Sequence, residues 1–243
     1  INCVGKNHSN FKNLREINLI FVQKLITFIK KNKISAHFIH LSSVSVYDVN
    51  NSNLFKIKNI KEESTIKAKD SYSQSKLEAD LAIQKMCISN KNYISFTILR
   101  ITNVFSDYKN SNAFKLIRFF LKKGIWFKYS DNTNYHFIHA KDVALAVLLC
   151  VLNFENSKNQ IYIVSDDINQ SKLQRIYAKN YNKKLLVIPL PSVFIKLFSQ
   201  FFFLPKKILN LIFTFSSQIN FDNSKIKRDL KFQTKNSLKY KFI

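Results

Sequence analysis

In the stretch DSYSQSKLEAD, residues 70–80, Tyr72 and Lys76 are spaced to share one face of a helix. A phenol held there could take a proton from a substrate hydroxyl. Left alone it titrates near pH ~10 and is a poor base at neutrality. An ammonium one helical turn away favours the phenolate. Ser43, at the end of the apolar run SAHFIHLSS, could hydrogen-bond and orient the same hydroxyl. With roughly one residue in seven a lysine, about one Tyr-x-x-x-Lys is expected by chance. Tyr72 and Lys76 equally suit an exposed helix start, and Ser43 an ordinary turn, so the surrounding elements must decide.

Those elements alternate. INCV reads as a short buried strand, and NLREINLIFVQKLITFIKKN as a helix with Leu14, Ile17, Phe21, Leu25 and Phe28 apolar at spacings of three and four. SAHFIHLSS is a strand with Ser42 and Ser43 at its C-terminal end. SYSQSKLEADLAIQKMCI is a helix carrying Leu77, Leu81, Met86 and Ile88, with Ser71 as N-cap. ISFTILRITNV is an apolar strand of the kind buried on both faces of a parallel sheet, with Arg100 and Asn103 at its end. AFKLIRFFLKK is a helix stopped at Gly124, and KDVALAVLLCVL a helix with Asp142 in its first turn, which suits the helix dipole. QIYIVSDD and KLLVIPLP are strands flanking the helix QSKLQRIYAKNY. Alternation of this kind predicts an α/β sheet with helices on its faces, and such sheets bind ligands beyond the C-terminal ends of their strands.

Composition narrows the class. Of the 243 residues 46% are hydrophobic, enough for a sizeable core, which argues against overall disorder. The formal charge is +24, but the basic residues are scattered lysines accompanied by abundant Asn and Ile. Arg-rich or aromatic-interleaved recognition segments are missing, so nucleic-acid binding is not expected. Cys3, Cys87 and Cys150 lack metal-ligand spacing and fit a reducing compartment. The run from Leu185 to Phe215 is very apolar, yet Pro189, Pro191, Lys196, Pro205, Lys206 and Lys207 interrupt it. A transmembrane helix is therefore not expected there, while peripheral membrane contact stays open.

The order of these pieces resembles the extended short-chain dehydrogenase/reductase family, the NAD-dependent sugar-nucleotide epimerase/dehydratase group. LSSVSVY resembles its strand with the catalytic Ser, YSQSK its Tyr-x-x-x-Lys, LRITNV its Leu-Arg-x-x-Asn-Val and FIHAKDVALAV its Phe-Ile-His-Val-x-Asp-Val-Ala block. NCVGKNH resembles the strand and turn that pass the cofactor, and REINL the helix with a buried Asn. The C-terminal part, with FDNSKIKRDLKF, looks most like bacterial UDP-sugar 4-epimerases and UDP-hexulose 4-reductases of surface-polysaccharide pathways.

The resemblance implies a Rossmann-like doubly wound parallel sheet lacking its first βαβαβ portion, about sixty residues by the usual length of two βα units, with a smaller C-terminal substrate-binding lobe. Residues 1–110 would form the partial cofactor domain, with 135–165 returning to it, and 111–243 mainly the lobe. It implies Ser43, Tyr72 and Lys76 as catalytic residues. Val4, Gly5, Asn18, Ser42, Tyr72 and Lys76 would lie by NAD or NADP, and Ser43, Asn103 and Asn112 by a nucleotide sugar such as a UDP-hexose. Asn18, Asn103 and Asn112 are equally readable as structural or surface amides. Arg100 and His139 are expected to be structural, and Asp142 a helix-start residue. The expected setting is cytoplasmic, and a homodimer stays open.

Three departures stand out. The chain has only 2 Gly, so no Gly-x-x-Gly-x-x-Gly loop is present to cradle a pyrophosphate. Asp48 stands where the family has a glycine, and Ser106–Asp107 replace its Gly-Pro after NVF, which puts the turns there in question. Tyr135 stands where a basic residue normally meets the diphosphate, with Lys128 a nearby substitute. Two rivals therefore stay open: a non-catalytic relative serving as a binding or scaffold protein, and a basic membrane-peripheral protein.

Overall fold

The computed structural model describes residues 1–6, 10–48, 58–89, 93–106, 112–129, 133–182, 184–189 and 218–236. Its centre is a parallel sheet in the order β1 (Ala36–Ser43), β3 (Ile94–Ile101), β7 (Gln160–Val164). β3 is the middle strand and is almost wholly buried, as its unbroken apolar run requires. One sheet face packs Phe38, Phe96 and Ile98 against Val22 and Ile26 of α2 (Phe21–Lys31) and Ile83 and Cys87 of α3 (Ser71–Ile88). The other packs Ile39, Leu99 and Ile101 against Val143, Ala146 and Cys150 of α5 (Ala140–Leu152) and Ile226 and Leu230 of α8 (Ser224–Leu230). Helices cover both faces, which is the doubly wound α/β arrangement expected.

Three further short sheets surround this core. β4 (Asn103–Phe105), β6 (Asn134–His139) and β8 (Asp166–Asn169) form one, β5 (Ile125–Lys128) and β9 (Leu186–Pro189) a second, and β2 (Lys58–Ile60) and β10 (Ile219–Phe221) a third. Phe105, Trp126, Tyr135, Phe137 and Ile168 build a second core with Ile117 and Leu121 of α4 (Asn112–Lys122) and Leu173 and Tyr177 of α7 (Gln170–Tyr181). Gly124 ends α4 with φ +73°, a conformation glycine adopts without a Cβ penalty.

Several sequence expectations are corrected. INCV is no buried strand. Asn2 alone makes a parallel bridge to His40, while Cys3 and Val4 are exposed. The first helix is α1 (Phe11–Arg15), then a π-helical stretch, Glu16–Ile20, then α2. The wider π turn adds a residue and rotates the apolar stripe. Leu14, Asn18, Leu19, Val22 and Ile26 face inward, and Phe21 and Phe28 face solvent at 41% and 59% exposure. On α3 the inward stripe is Lys76, Ala79, Asp80, Ile83 and Cys87, leaving Leu81 and Ile88 outside.

The N-cap of α3 is Asp70, not Ser71. The Asp70 carboxylate accepts from Ser73 N at 2.7 Å and Ser73 Oγ accepts from Asp70 N at 3.0 Å, a capping box. The run read as ISFTILRITNV divides at Thr102 into β3 and β4, and QIYIVSDD divides at Ser165 into β7 and β8. Residues 190–217, most of the apolar run, lie outside the described residues. Among the described residues no helix is long and apolar enough to cross a membrane.

Candidate active site

β1 ends at Ser43, which is level with Ile101 of β3 in the sheet. A 3₁₀ turn, Val44–Val46, follows, and the Ser43 hydroxyl caps it by accepting from Ser45 N at 3.2 Å. α3 then crosses so that its first turn meets this strand end. The Ser43 hydroxyl comes near enough to the Tyr72 phenol to favour its ionised form. Burial pushes Tyr72 above the usual phenol range and the Ser43 hydroxyl pulls it back, while Asp70 and Asp80 add to the rise.

One turn on, Lys76 is 5% exposed and donates from Nζ to the Leu41 carbonyl at 2.9 Å. Burial lowers it from the usual lysine range, whereas Asp80 and then Cys3 raise it. The ammonium has further N–H donors beyond the Leu41 bond, and they lie beside Gly5.

The segment carrying Gly5 is fixed by two asparagines. Asn2 Oδ1 accepts from Val4 N at 3.0 Å, and its Nδ2 donates to His40 Nδ1 at 3.0 Å. Asn18, fully buried in the π-helical stretch, accepts from Lys6 N at 2.9 Å and donates to Lys6 O at 3.0 Å and Ser75 Oγ at 2.9 Å. Asn18 therefore ties the Gly5–Lys6 backbone to the helix that bears Tyr72 and Lys76.

Ser43, Tyr72, Lys76, Gly5 and Asn18 thus converge at the C-terminal end of β1, with Val4 alongside and exposed. Ser42 points to the other face of β1, where its buried hydroxyl acts on the Asp80 carboxyl. Asn103 opens β4 just past the sheet end with its side chain in solvent. Asn112 opens α4, and its side chain lies outside the described residues.

Arg100 and His139 are structural, as expected. Arg100 is buried and donates to Asp80 Oδ2 at 3.1 Å and Tyr47 Oη at 2.8 Å, and His139 Nδ1 caps α5 by accepting from Lys141 N at 3.2 Å. Asp142 does more than start a helix. It accepts from the backbone N–H groups of Lys235 and Asn236 at 3.0 and 2.9 Å and so anchors the C-terminal segment. Tyr135 is buried in the second core and its hydroxyl accepts from Gln170 Nε2 at 2.9 Å, a packing role. Lys128 ends β5, opposite Pro189 of β9.

Asp48 and Ser106 adopt no left-handed backbone, so the loss of glycine there brings no strain. Sequence reasoning missed Asn2, His40 and Asp80. The four-residue recurrence Tyr72, Lys76, Asp80 was a usable signal for the last.

The profile of the NAD dependent epimerase/dehydratase family matches residues 1–165, more than half of the chain and all of the site just described. The chain belongs to this family. Solved structures share the epimerase/dehydratase architecture at low identity. UDP-glucuronic acid 4-epimerase from Bacillus cereus in complex with NAD has a TM-score of 0.68 and 16% identity, over 99% of this chain and 68% of that one. RMD from Pseudomonas aeruginosa complexed with NADPH has a TM-score of 0.66 and 15% identity, over 98% and 76%. DesIV, a dTDP-glucose 4,6-dehydratase from Streptomyces venezuelae with NAD and TYD bound, has a TM-score of 0.63 and 16% identity, over 96% and 67%. No curated protein sequence matches the chain closely enough to count as a relative.

The family's nicotinamide cofactor can be tested against the residues present. Gly5 leaves open the space beside Lys76 Nζ that a Cβ would crowd, and the N–H donors of Lys76 beyond the Leu41 bond suit ribose hydroxyls. The residues fit the nicotinamide-ribose end of such a cofactor. No glycine-rich loop for the diphosphate occurs in the sequence.

Proposed function

We propose that the chain carries the catalytic half-site of an NAD(P)-dependent sugar-nucleotide epimerase or 4-reductase, acting on a UDP-hexose for surface-polysaccharide precursors. The observation that carries this reading is the meeting of Ser43 and Tyr72 at the end of β1, with buried Lys76 one helical turn behind.

Tyr72 takes the proton of the reacting sugar hydroxyl. Ser43, beside the phenol, holds that hydroxyl in line, a form of general acid–base assistance worth about 10²–10⁴ in rate. Bound NAD(P) would supply the hydride acceptor at the adjacent carbon. Lys76 favours the phenolate and holds the ribose, while Val4, Gly5 and Asn18 shape the backbone it lies against. Ser42 supports this site from the buried side of β1. Asn103 and Asn112, on elements past the strand ends, are assigned to the sugar nucleotide, and residues 111–243 mainly to its lobe.

The test is turnover of UDP-hexoses with NAD(P) by Tyr72→Phe. Loss of turnover with cofactor binding retained supports the reading, and unchanged turnover removes Tyr72 from the mechanism.

A further inference from the structure

Tyr72, Lys76 and Asp80 recur every four residues along α3 and form one stripe rising about 6 Å per step. Asp80 is fully buried, and Arg100 meets it from β3 at 3.1 Å with 1% of its own side chain exposed. Arg100 is fixed in turn by Tyr47 Oη and by the Glu62 carbonyl at 3.4 Å, and its guanidinium lies 4.8 Å from the Tyr47 ring centre. Asp80 is therefore held from behind by a rigid cation, one turn from the lysine that faces the site.

We propose that Asp80 is a positioning residue for Lys76: one helical turn away and held by Arg100, its carboxylate supplies the counter-charge for the buried ammonium that donates to Leu41. The proposal rests on the assignment of Lys76 to the reaction.

The groups around Lys76 leave this task to Asp80. Tyr72, on the same helix, is a neutral phenol in the resting site. His40, from β1, is driven down to about 3 by burial and by Lys76 itself, so it offers no negative charge. Cys3, from the N-terminal segment, is exposed and acts more weakly than Asp80. Arg100 is a cation that Asp80 shields. Burial alone would favour the neutral amine, and the Asp80 charge is the main influence opposing it. Burial pushes the Asp80 carboxyl up, and Arg100 foremost, then Ser42 and Lys76, pull it back. A neutral Asp80 would leave the Arg100 guanidinium buried without a counter-charge, so the carboxylate is the form the pair requires.

The experiment is a ¹³C NMR titration of labelled lysine Cε, with the Lys76 signal assigned by its loss in Lys76→Met. In Asp80→Asn the Lys76 midpoint moves to lower pH, and Asp80→Glu restores it. Stranding Arg100 could unfold Asp80→Asn, so Asp80→Asn/Arg100→Gln, which removes both charges, is measured as well and shows the same downward shift. The alkaline limb of kcat/KM follows. The acid limb also moves to lower pH while Lys76 stays charged, because Asp80 raises Tyr72. A purely structural ion pair would cost stability and leave the midpoint in place. An unchanged midpoint in either folded variant overturns the proposal. The NMR titration needs no turnover, so failure of the functional reading, seen as unchanged turnover in Tyr72→Phe, is distinguishable from failure of this one.

Discussion

Lys76 Nζ lies against the position that a side chain on Gly5 would take. A Cβ on Gly5 would sit 3.1 Å from that nitrogen and 3.4 Å from Asn18 Oδ1. Gly5 needs no special backbone angle, so its lack of a side chain is what matters here. Gly5→Ala should fold normally and displace the ammonium from its place between Gly5 and the Leu41 carbonyl. NAD(P) affinity is expected to fall roughly tenfold, about 1.4 kcal/mol, measured by cofactor titration beside a melting curve that barely moves.

Tyr72 and Ser43 should separate chemistry from stability. Tyr72→Phe removes a half-buried hydroxyl and keeps the ring, so unfolding free energy should change by less than about 1 kcal/mol while kcat falls about 10²-fold or more. Ser43→Ala should lower kcat less, and it should raise the pH of the acid limb, because the hydroxyl that lowers Tyr72 is gone. A pH–rate profile of the two variants checks both statements.

His40 gives the fold an acid sensitivity with a definite sign. The unfolded chain protonates it below its ordinary 6.5, whereas the folded protein keeps it neutral down to about 3 because it is buried and faces Lys76. As pH falls from 6.5 toward 3, the unfolded state takes up a proton that the folded state refuses. Stability should therefore drop by up to about 1.4 kcal/mol per pH unit in that window. His40→Gln, which can still accept from Asn2, should flatten this part of the curve in urea unfolding at stepped pH.

Asp142 should behave as the anchor of the C-terminal segment. Asp142→Ala strips the Lys235 and Asn236 amides of their acceptor and should cost about 1–3 kcal/mol. Hydrogen exchange should show protection lost first at those two amides, with the central sheet protected as before.

Some of this was legible in the order of residue types. The strands SAHFIHLSS and ISFTILR, the helix from Ser71 and the Gly124 stop follow from local periodicity and capping chemistry, which act over a few residues. The Ser43, Tyr72 and Lys76 positions were readable as well, because strand end and helix start are both local events. The π-helical turn at Glu16–Ile20 was not readable. It is stabilised by Asn18 reaching Lys6 and Ser75, a contact between distant segments, and its extra residue turned Phe21 and Phe28 outward against the expected stripe.

The sequence by itself determined the alternating α/β elements and the residue types at the strand and helix ends, since propensity and hydrophobic period are properties of neighbouring residues. Only the tertiary structure decided what each polar group in the interior is for. Arg100 pairs with Asp80, Asp142 holds residues 235 and 236, and Asn2 rather than a full strand joins the sheet edge. Buried charges and amides must find partners, and those partners come from chain segments that only the fold brings together.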